Sequence, residues 1–135
     1  MTYSKAFSLV ELLVVISIIA IISAFTLPNF MGARERARDS SRISDMSAIK
    51  NSLRMYYNDH QSYPLQIGGT LGVDMVSYMP SILNLGYTYE YFSQNNGDGF
   101  LLKLKLDSGQ GDDDIESQTK CGVGVTDGYY AVCAN

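Results

Sequence analysis

The chain has 135 residues, a formal net charge of −4, 46% hydrophobic residues and 18% charged residues. This length leaves room for one modest domain with an appendage and excludes a multidomain enzyme. The apolar residues are concentrated near the N-terminus, where 14 of the 21 residues from Phe7 to Leu27 are Phe, Leu, Ile or Val. A run of this length and composition is typical of a membrane span, so we do not expect a purely soluble protein.

Charge is divided unevenly along the rest of the chain. Residues 34–54 carry six basic and three acidic side chains, whereas residues 55–135 carry three basic and ten acidic ones. The acidic part is a poor electrostatic match for nucleic acid, which could bind only through the basic segment. The arginines of that segment are better explained by contacts with lipid headgroups or by pairs with Glu35 and Asp39.

The apolar run is too long for the hydrophobic core of a secretory signal peptide and continues into charged residues, which predicts a retained membrane anchor. Six residues precede it, and Glu11 is its one ionisable side chain. Glu11 either reaches water near the membrane interface or pairs with a cation. Removal of the first six residues would create an α-ammonium on Phe7, one helical turn before Glu11, and this group on a neighbouring copy is the candidate partner.

The stretch 6–16 resembles the class III signal and N-terminal helix of type IV pilins and type II secretion pseudopilins. This resemblance implies cleavage by a prepilin peptidase between Ala6 and Phe7, methylation of Phe7, and a role for Glu11 in assembly. Ala6 departs from the family, which usually has Gly there. The resemblance extends over about residues 3–64 and is weak beyond them.

Two signals predict opposite orientations for the anchor. The four arginines from Arg34 to Arg42 outnumber Lys5, which by the positive-inside rule favours a cytoplasmic C-terminal part. The cysteines near the C-terminus favour an oxidising compartment.

Helical periodicity continues beyond the anchor and predicts one helix from Ser8 to about Asp59, 52 residues and about 78 Å long. Arg and Asp side chains are expected on its exposed faces. An apolar stripe at spacings of three and four is expected to pack on a sheet as core. The stripe consists of Ile43, Met46, Ile49, Leu53 and Tyr56 or Tyr57.

Pro28 interrupts this helix. It lacks an N–H group and its ring clashes with the carbonyl of Ala24, which predicts a kink or local melting. Gly32 adds conformational freedom nearby. A kink at the membrane exit needs no function. The resemblance implies instead a helix that partly unwinds when subunits leave the membrane and enter a filament.

The remaining chain is expected to form a small head. Residues 67–85 are predicted to be a loop with one short helix at 73–79, and strands are predicted at 87–92, 99–106 and 128–133. The turn Asn95–Asp98 favours a hairpin between the first two strands. The second strand alternates between apolar and polar side chains, as a half-buried strand requires.

The predicted fold is therefore α+β and resembles that of type IV pilins, with a long kinked N-terminal helix packed on a small antiparallel β-sheet head. Its expected parts are a leader (1–6), a transmembrane or filament-core half of the helix (7–28), an amphipathic stem half (29–60) and a head (61–135) with a stapled C-terminal region.

Cys121 and Cys133 are candidates for a disulfide, which would close a loop of about a dozen residues and contribute roughly 3 kcal/mol. Two free thiols are the alternative, while His60, the single histidine, leaves too few ligands for zinc. Type IV pilins commonly staple their C-terminal region in this way, so the resemblance implies the disulfide.

An acidic stretch lies close to these cysteines. It is either a solvated loop or a weak candidate for calcium, which major pseudopilins of type II secretion carry in a similar loop. The spacing fits no EF-hand, and no other cofactor is expected. The candidate ligands are Asp107, Asp112, Asp113, Asp114 and Asp127.

An enzyme is not expected, because the sequence has one histidine, no glycine-rich phosphate loop and no nucleophile motif. We expect a major pilin that polymerises into a type IV pilus-like surface filament after leader cleavage, a choice that the cysteine pair favours. The alternatives are a type II secretion pseudopilin and a membrane-anchored extracellular binding domain that does not polymerise.

The resemblance also implies partners and places. The partners are other copies of the chain, minor pilins, the prepilin peptidase and an inner-membrane assembly platform. The precursor is expected in the inner membrane as a single-pass protein with its head outside, and the mature protein in a cell-surface filament.

Overall fold

The computed structural model describes residues 7–65, 71–109 and 111–134, with the side chains of 26–29 left out of the description. The chain divides into two compact units, Met1–Glu35 and Arg36–Asn135. One long helix, α1 (Leu9–His60), runs from the first unit into the second and has 52 residues. The predicted helix is thus confirmed, displaced by one residue at each end.

Three antiparallel strands form the sheet of the second unit, in the order β1 (Tyr89–Gln94), β2 (Gly99–Lys105) and β3 (Tyr129–Cys133). The turn between β1 and β2 places Asn95 and Asn96 in the left-handed region, at φ 51° and 57°. Asn tolerates this region better than other non-glycine residues do, which explains why the hairpin turns here. The predicted α+β, pilin-like arrangement is confirmed.

The core of the second unit lies where the α1 stripe meets one face of the sheet. Met46, Ile49 and Leu53 are fully buried, and the alternating apolar residues of the second predicted strand are buried against them. The spacing that predicted the stripe therefore identified the face of α1 that packs on the sheet. The buried residues of the strand are Phe100, Leu102, Leu104 and Leu106.

The connection from α1 to β1 differs from its prediction. Its described part contains two 3₁₀ helices, Val73–Ser77 and Pro80–Asn84, instead of one short helix. Pro80 occupies the first turn of the second helix, where its missing N–H has no helical partner to lose. Met75 and Ile82 anchor the two turns in the core.

A second α-helix, α2 (Asp112–Lys120), replaces the predicted acidic loop. Negative charge in the first helical turn is favourable because it faces the positive end of the helix dipole. In addition, the Gly111 backbone N–H donates to Oδ2 of Asp114 at 2.7 Å, and Lys120 pairs with Glu116 at 2.7 Å. The run of aspartates is therefore a helix start and not a solvated loop.

Asp39 joins α1 to the head. This differs from the expectation that the aspartates of the stem are exposed. Asp39 is only 3% exposed, and its carboxylate accepts hydrogen bonds from the backbone N–H groups of Asp107 at 3.0 Å and Ser108 at 2.7 Å. Arg42 lies 3.2 Å from the same carboxylate. A buried carboxylate is tolerated because each oxygen has a donor.

Two stem arginines complete this attachment through Asp107. Arg42 lies 3.0 Å and Arg38 3.6 Å from the Asp107 carboxylate. We call the group of Arg38, Asp39, Arg42 and Asp107 the stem clasp. It shows that part of the basic segment serves packing within the chain, as the predicted pair with Asp39 implied.

Three tyrosine hydroxyls donate to aspartates across the border between α1 and the head. Tyr87 donates to Asp45 at 3.1 Å, further along α1 than the stem clasp. Tyr78 donates to Asp59 at 2.8 Å, and Tyr57 of α1 donates to Asp98 at 3.3 Å. The stripe is thus bordered by polar contacts over most of its length.

Substitution Leu53→Ala should lower the free energy of unfolding of the second unit by about 2–5 kcal/mol, because it removes a fully buried side chain from the stripe. The matched control is Met55→Ala, at a side chain that is 55% exposed, where a change within about 0.5 kcal/mol is expected. Urea unfolding of the full chain in detergent micelles, followed by near-ultraviolet circular dichroism, measures both. Equal losses would contradict the assignment of the core.

Substitution Asp39→Asn should destabilise the protein by about 1–3 kcal/mol at neutral pH, because it leaves buried donors without their carboxylate. Burial by itself raises the pKa of Asp39, but hydrogen bonds from residues 107–108 and the charge of Arg42 outweigh it, so the pKa lies below its usual 3.8. The contribution of this carboxylate is therefore complete above pH 3.8 and is lost as the pH falls through the lowered pKa.

Melting temperatures of wild type and Asp39→Asn, measured from about pH 7 to about pH 2, should converge at the acid end. A gap of constant size across this range would show that the carboxylate charge contributes nothing. Asp127→Asn, at an exposed acid, is the control and should follow the wild type throughout.

Candidate functional site

The first part of α1 presents an extensive apolar surface. The side chains described between Phe7 and Phe25 are all exposed, including Leu9 at 77% and Ile16 at 55%. Soluble monomers rarely expose contiguous apolar patches larger than a few hundred Å². We call this region, residues 7–25, the apolar segment, and its composition requires lipid or other helices around it.

A criterion based on length and hydropathy selects no single helix of the described residues as a membrane span. The parts Leu9–Phe25 and Phe30–His60 satisfy it only when taken together, as a bent pair.

Glu11 lies in the first turn of α1 and is exposed. Its Oε2 accepts a long hydrogen bond of 3.4 Å from the Ser8 backbone N–H, which is favourable at the positive end of the helix dipole. No ion pair of Glu11 is present within residues 7–65, 71–109 and 111–134. Its carboxylate is thus available at the tip of the apolar segment, one helical turn from Phe7.

The structure describes neither Ala6 nor the side chain of Pro28, two of the predicted site residues. Ala6 and the rest of the leader precede the described residues, so the cleavage between Ala6 and Phe7 stays a prediction. The side chain of Pro28 belongs to the stretch 26–29, and the kink also stays a prediction. Gly32 is described, and a Cβ built there meets no atom within 4 Å, so packing within the chain does not require glycine.

The five candidate calcium ligands do not converge. Asp107 belongs to the stem clasp, and Asp114 holds the start of α2. Within the described ranges, no group of three or more His, Cys, Asp or Glu side chains is placed to hold a metal ion. Calcium binding thus has no geometric support in this part of the chain and stays a prediction. The three remaining candidates, all exposed, are Asp112, Asp113 and Asp127.

Cys121 and Cys133 form a disulfide with a Cα–Cα distance of 5.6 Å. The bond joins the end of α2 to the last residue of β3, and the alternative of two free thiols is wrong. It closes a loop with a sequence separation of 12 residues. Such bonds persist in oxidising compartments.

His60 has a structural environment at the end of α1. Its ring stacks on Tyr56 with centroids 4.1 Å apart, and its Nδ1 lies 3.1 Å from the Tyr56 carbonyl oxygen. A cationic or polar ring at this position suits the negative end of the helix dipole.

Sequence reasoning missed two polar features of the second unit. One is the set of contacts between the stem and residues 107–108, which are far from the stem in sequence and leave no local pattern. The other is the buried face of α2, formed by Asp114, Ser117 and Gln118. The sequence did contain a signal for this helix: three aspartates begin the nine-residue segment and Lys120 ends it, which is typical of helix ends.

Comparison with protein families gives a match at the N-terminus. A family model described as the prokaryotic N-terminal methylation motif matches residues 1–27. The matched segment contains Ala6, Phe7 and Glu11 together with the whole of the apolar segment.

Relatives extend the comparison to the rest of the chain. The type II secretion system core protein G of Escherichia coli is 31% identical over 103 residues, covering 76% of this chain and 65% of that protein. The protein of the same name from Klebsiella michiganensis is 31% identical over 108 residues, covering 80% and 70%. The type IV wide pilus major component PilA4 of Thermus thermophilus is 41% identical over 63 residues, covering 47% and 48%.

The chain spans less than two thirds of the Escherichia coli and Thermus relatives. No solved structure matches it significantly. The 108-residue match reaches well beyond the methylation motif, through the stem and into the head. The chain therefore belongs to the family of type IV pilins and type II secretion pseudopilins, as a structural subunit that is made as a membrane-anchored precursor and is not an enzyme.

Proposed function

We propose that the chain is a pseudopilin that polymerises into the filament of a type II secretion system. The observation that carries this proposal is the apolar segment, which only other helices can cover once the subunit leaves the membrane. The choice of secretion over a pilus rests on the relatives, since core protein G matches up to 80% of the chain and the Thermus pilin 47%. The expected major pilin thus becomes the second candidate.

Assembly follows from the change in the surroundings of the apolar segment. In the membrane, lipid tails cover these side chains as well as another helix would. Outside the membrane, each exposed Leu or Ile costs about 1.5–3 kcal/mol relative to burial. A subunit therefore leaves the bilayer only when helices of other copies replace the lipid, which makes a helical bundle of apolar segments the core of the filament.

Glu11 supplies the specific contact in this bundle. A carboxylate in an apolar helix bundle is stable only when it is paired. Cleavage between Ala6 and Phe7 creates an α-ammonium one helical turn from the Glu11 carboxylate, and methylation of Phe7 retains its charge. Pairing of this ammonium with Glu11 of a neighbouring copy fixes the register between adjacent helices.

The remaining partners follow from the same proposal. A prepilin peptidase removes the leader on the cytoplasmic side, and an inner-membrane platform adds subunits, with minor subunits in the same filament. The head lies outside the inner membrane, where its disulfide is stable.

A type IV pilus subunit is favoured by the Cys121–Cys133 disulfide, since the resemblance to type IV pilins implied that pair.

Substitution Glu11→Ala should abolish or strongly slow filament formation, because the Phe7 ammonium loses its partner, while insertion and leader removal remain. Filaments sheared from cells that overproduce the chain are counted by electron microscopy, and intact mass spectrometry should show loss of residues 1–6 in both proteins. Glu35→Ala, at the other acid of the first unit, is the matched control and should assemble normally. Filaments of normal number and length from Glu11→Ala would contradict the proposed pairing.

Deletion of the gene in its own organism separates the two candidate functions. A pseudopilin predicts that secreted enzymes accumulate in the periplasm while surface fibres stay unchanged, and that a plasmid copy restores secretion. Loss of surface fibres with normal secretion would instead establish the pilus subunit.

A further inference from the structure

Among the described residues, the outer edge of β3 is covered by α2 and not by another strand. In the sheet order β1-β2-β3, the one described strand that pairs with β3 is β2. An uncovered strand edge is a template for pairing with another chain, and proteins commonly block it. Here the block is a nine-residue helix.

The side chains of α2 replace a neighbouring strand by direct hydrogen bonds to the β3 backbone. The Ala131 N–H donates to Ser117 Oγ at 3.1 Å, and Gln118 Nε2 donates to the Tyr129 carbonyl at 2.6 Å. Gln118 Oε1 also accepts the Thr126 N–H at 2.7 Å. These are the backbone groups of Tyr129 and Ala131 that point away from β2, since the even-numbered residues of this segment face it.

This cover has almost no apolar attachment. The buried residues of α2 are Asp114, Ser117 and Gln118, all polar, whereas its one aliphatic side chain, Ile115, is 40% exposed. A helix of this length is not stable alone in water. The polar contacts above and the disulfide that begins at Cys121, directly after α2, therefore hold it in place.

The covered strand is itself suited to pairing. Residues 129–133 contain no charge, proline or glycine and are rich in aromatic and β-branched side chains. Two copies of β3 paired antiparallel about Ala131 would place Tyr130 opposite Val132 and Tyr129 opposite Cys133. No like charges oppose each other in this arrangement, and the outward backbone groups that Ser117 and Gln118 now satisfy would bond each other.

We propose that α2 is a removable cover and that the β3 edge is a latent interface for β3 of a second copy, opened by reduction of the Cys121–Cys133 disulfide. A dithiol reductant supplies two electrons and two protons, so both cysteines become thiols and the reductant closes to its own disulfide. α2 then loses its covalent attachment to β3. This inference is independent of the function proposed above.

Hydrogen exchange tests whether reduction separates α2 from β3. It is measured on the full chain at low concentration in detergent micelles, with and without dithiothreitol. Reduction should speed exchange of the Ala131 and Thr126 amides at least about tenfold, while the β1–β2 hairpin keeps its protection. Unchanged protection of both amides after reduction would overturn the proposal.

A fluorescent peptide tests whether the opened β3 edge binds a second β3. The peptide has the sequence of residues 127–134, with Ser in place of Cys133. Fluorescence anisotropy should show binding to the reduced chain and none to the oxidised chain. A scrambled peptide is the control, and equal binding of both peptides would overturn the assignment to a second β3.

Reduction could also unfold the β1–β2 hairpin, and a variant that keeps the disulfide separates the two effects. Gln118→Ala removes contacts to β3 and should bind the peptide in its oxidised state, whereas Thr119→Ala, on the exposed face of α2, should not. No peptide binding by oxidised Gln118→Ala, together with loss of the hairpin on reduction, would overturn the proposal.

Discussion

The rest of the structure depends on an apolar surface that the chain does not cover itself. The first part of α1 exposes side chains such as Leu9 and Phe25 at more than 70%. A helix that is apolar all round is stable only inside lipid or among other helices. The protein is thus incomplete as a monomer in water.

The second unit uses the outer part of α1 as part of its core. Met46, Ile49 and Leu53 of α1 cover one apolar face of a sheet that is too small to form a core alone. Polar contacts then fix the helix in place on that sheet. The disulfide closes the C-terminal loop, so the head is held covalently at one end and by the stripe at the other.

The sequence predicted the parts of the fold that repeat locally. The period of the stripe predicted the core face of α1, and alternation predicted β2 and its neighbours. Asp39 was wrongly expected to be exposed because its backbone hydrogen-bond donors are 68 and 69 residues away, a separation that no local pattern records. The helix α2 was missed because its buried face is polar. The family followed from the segment around Glu11, but that segment is common to pilins and pseudopilins and does not separate them.

The polar contacts between α1 and the head have a mechanical consequence. They start at Arg38 and end at Asp59, 21 residues or about 32 Å of helix apart. Tension transmitted along the helix therefore loads these contacts in shear. The contacts then share the force and do not break one after another. Such a joint resists sudden rupture although each single bond in it is weak.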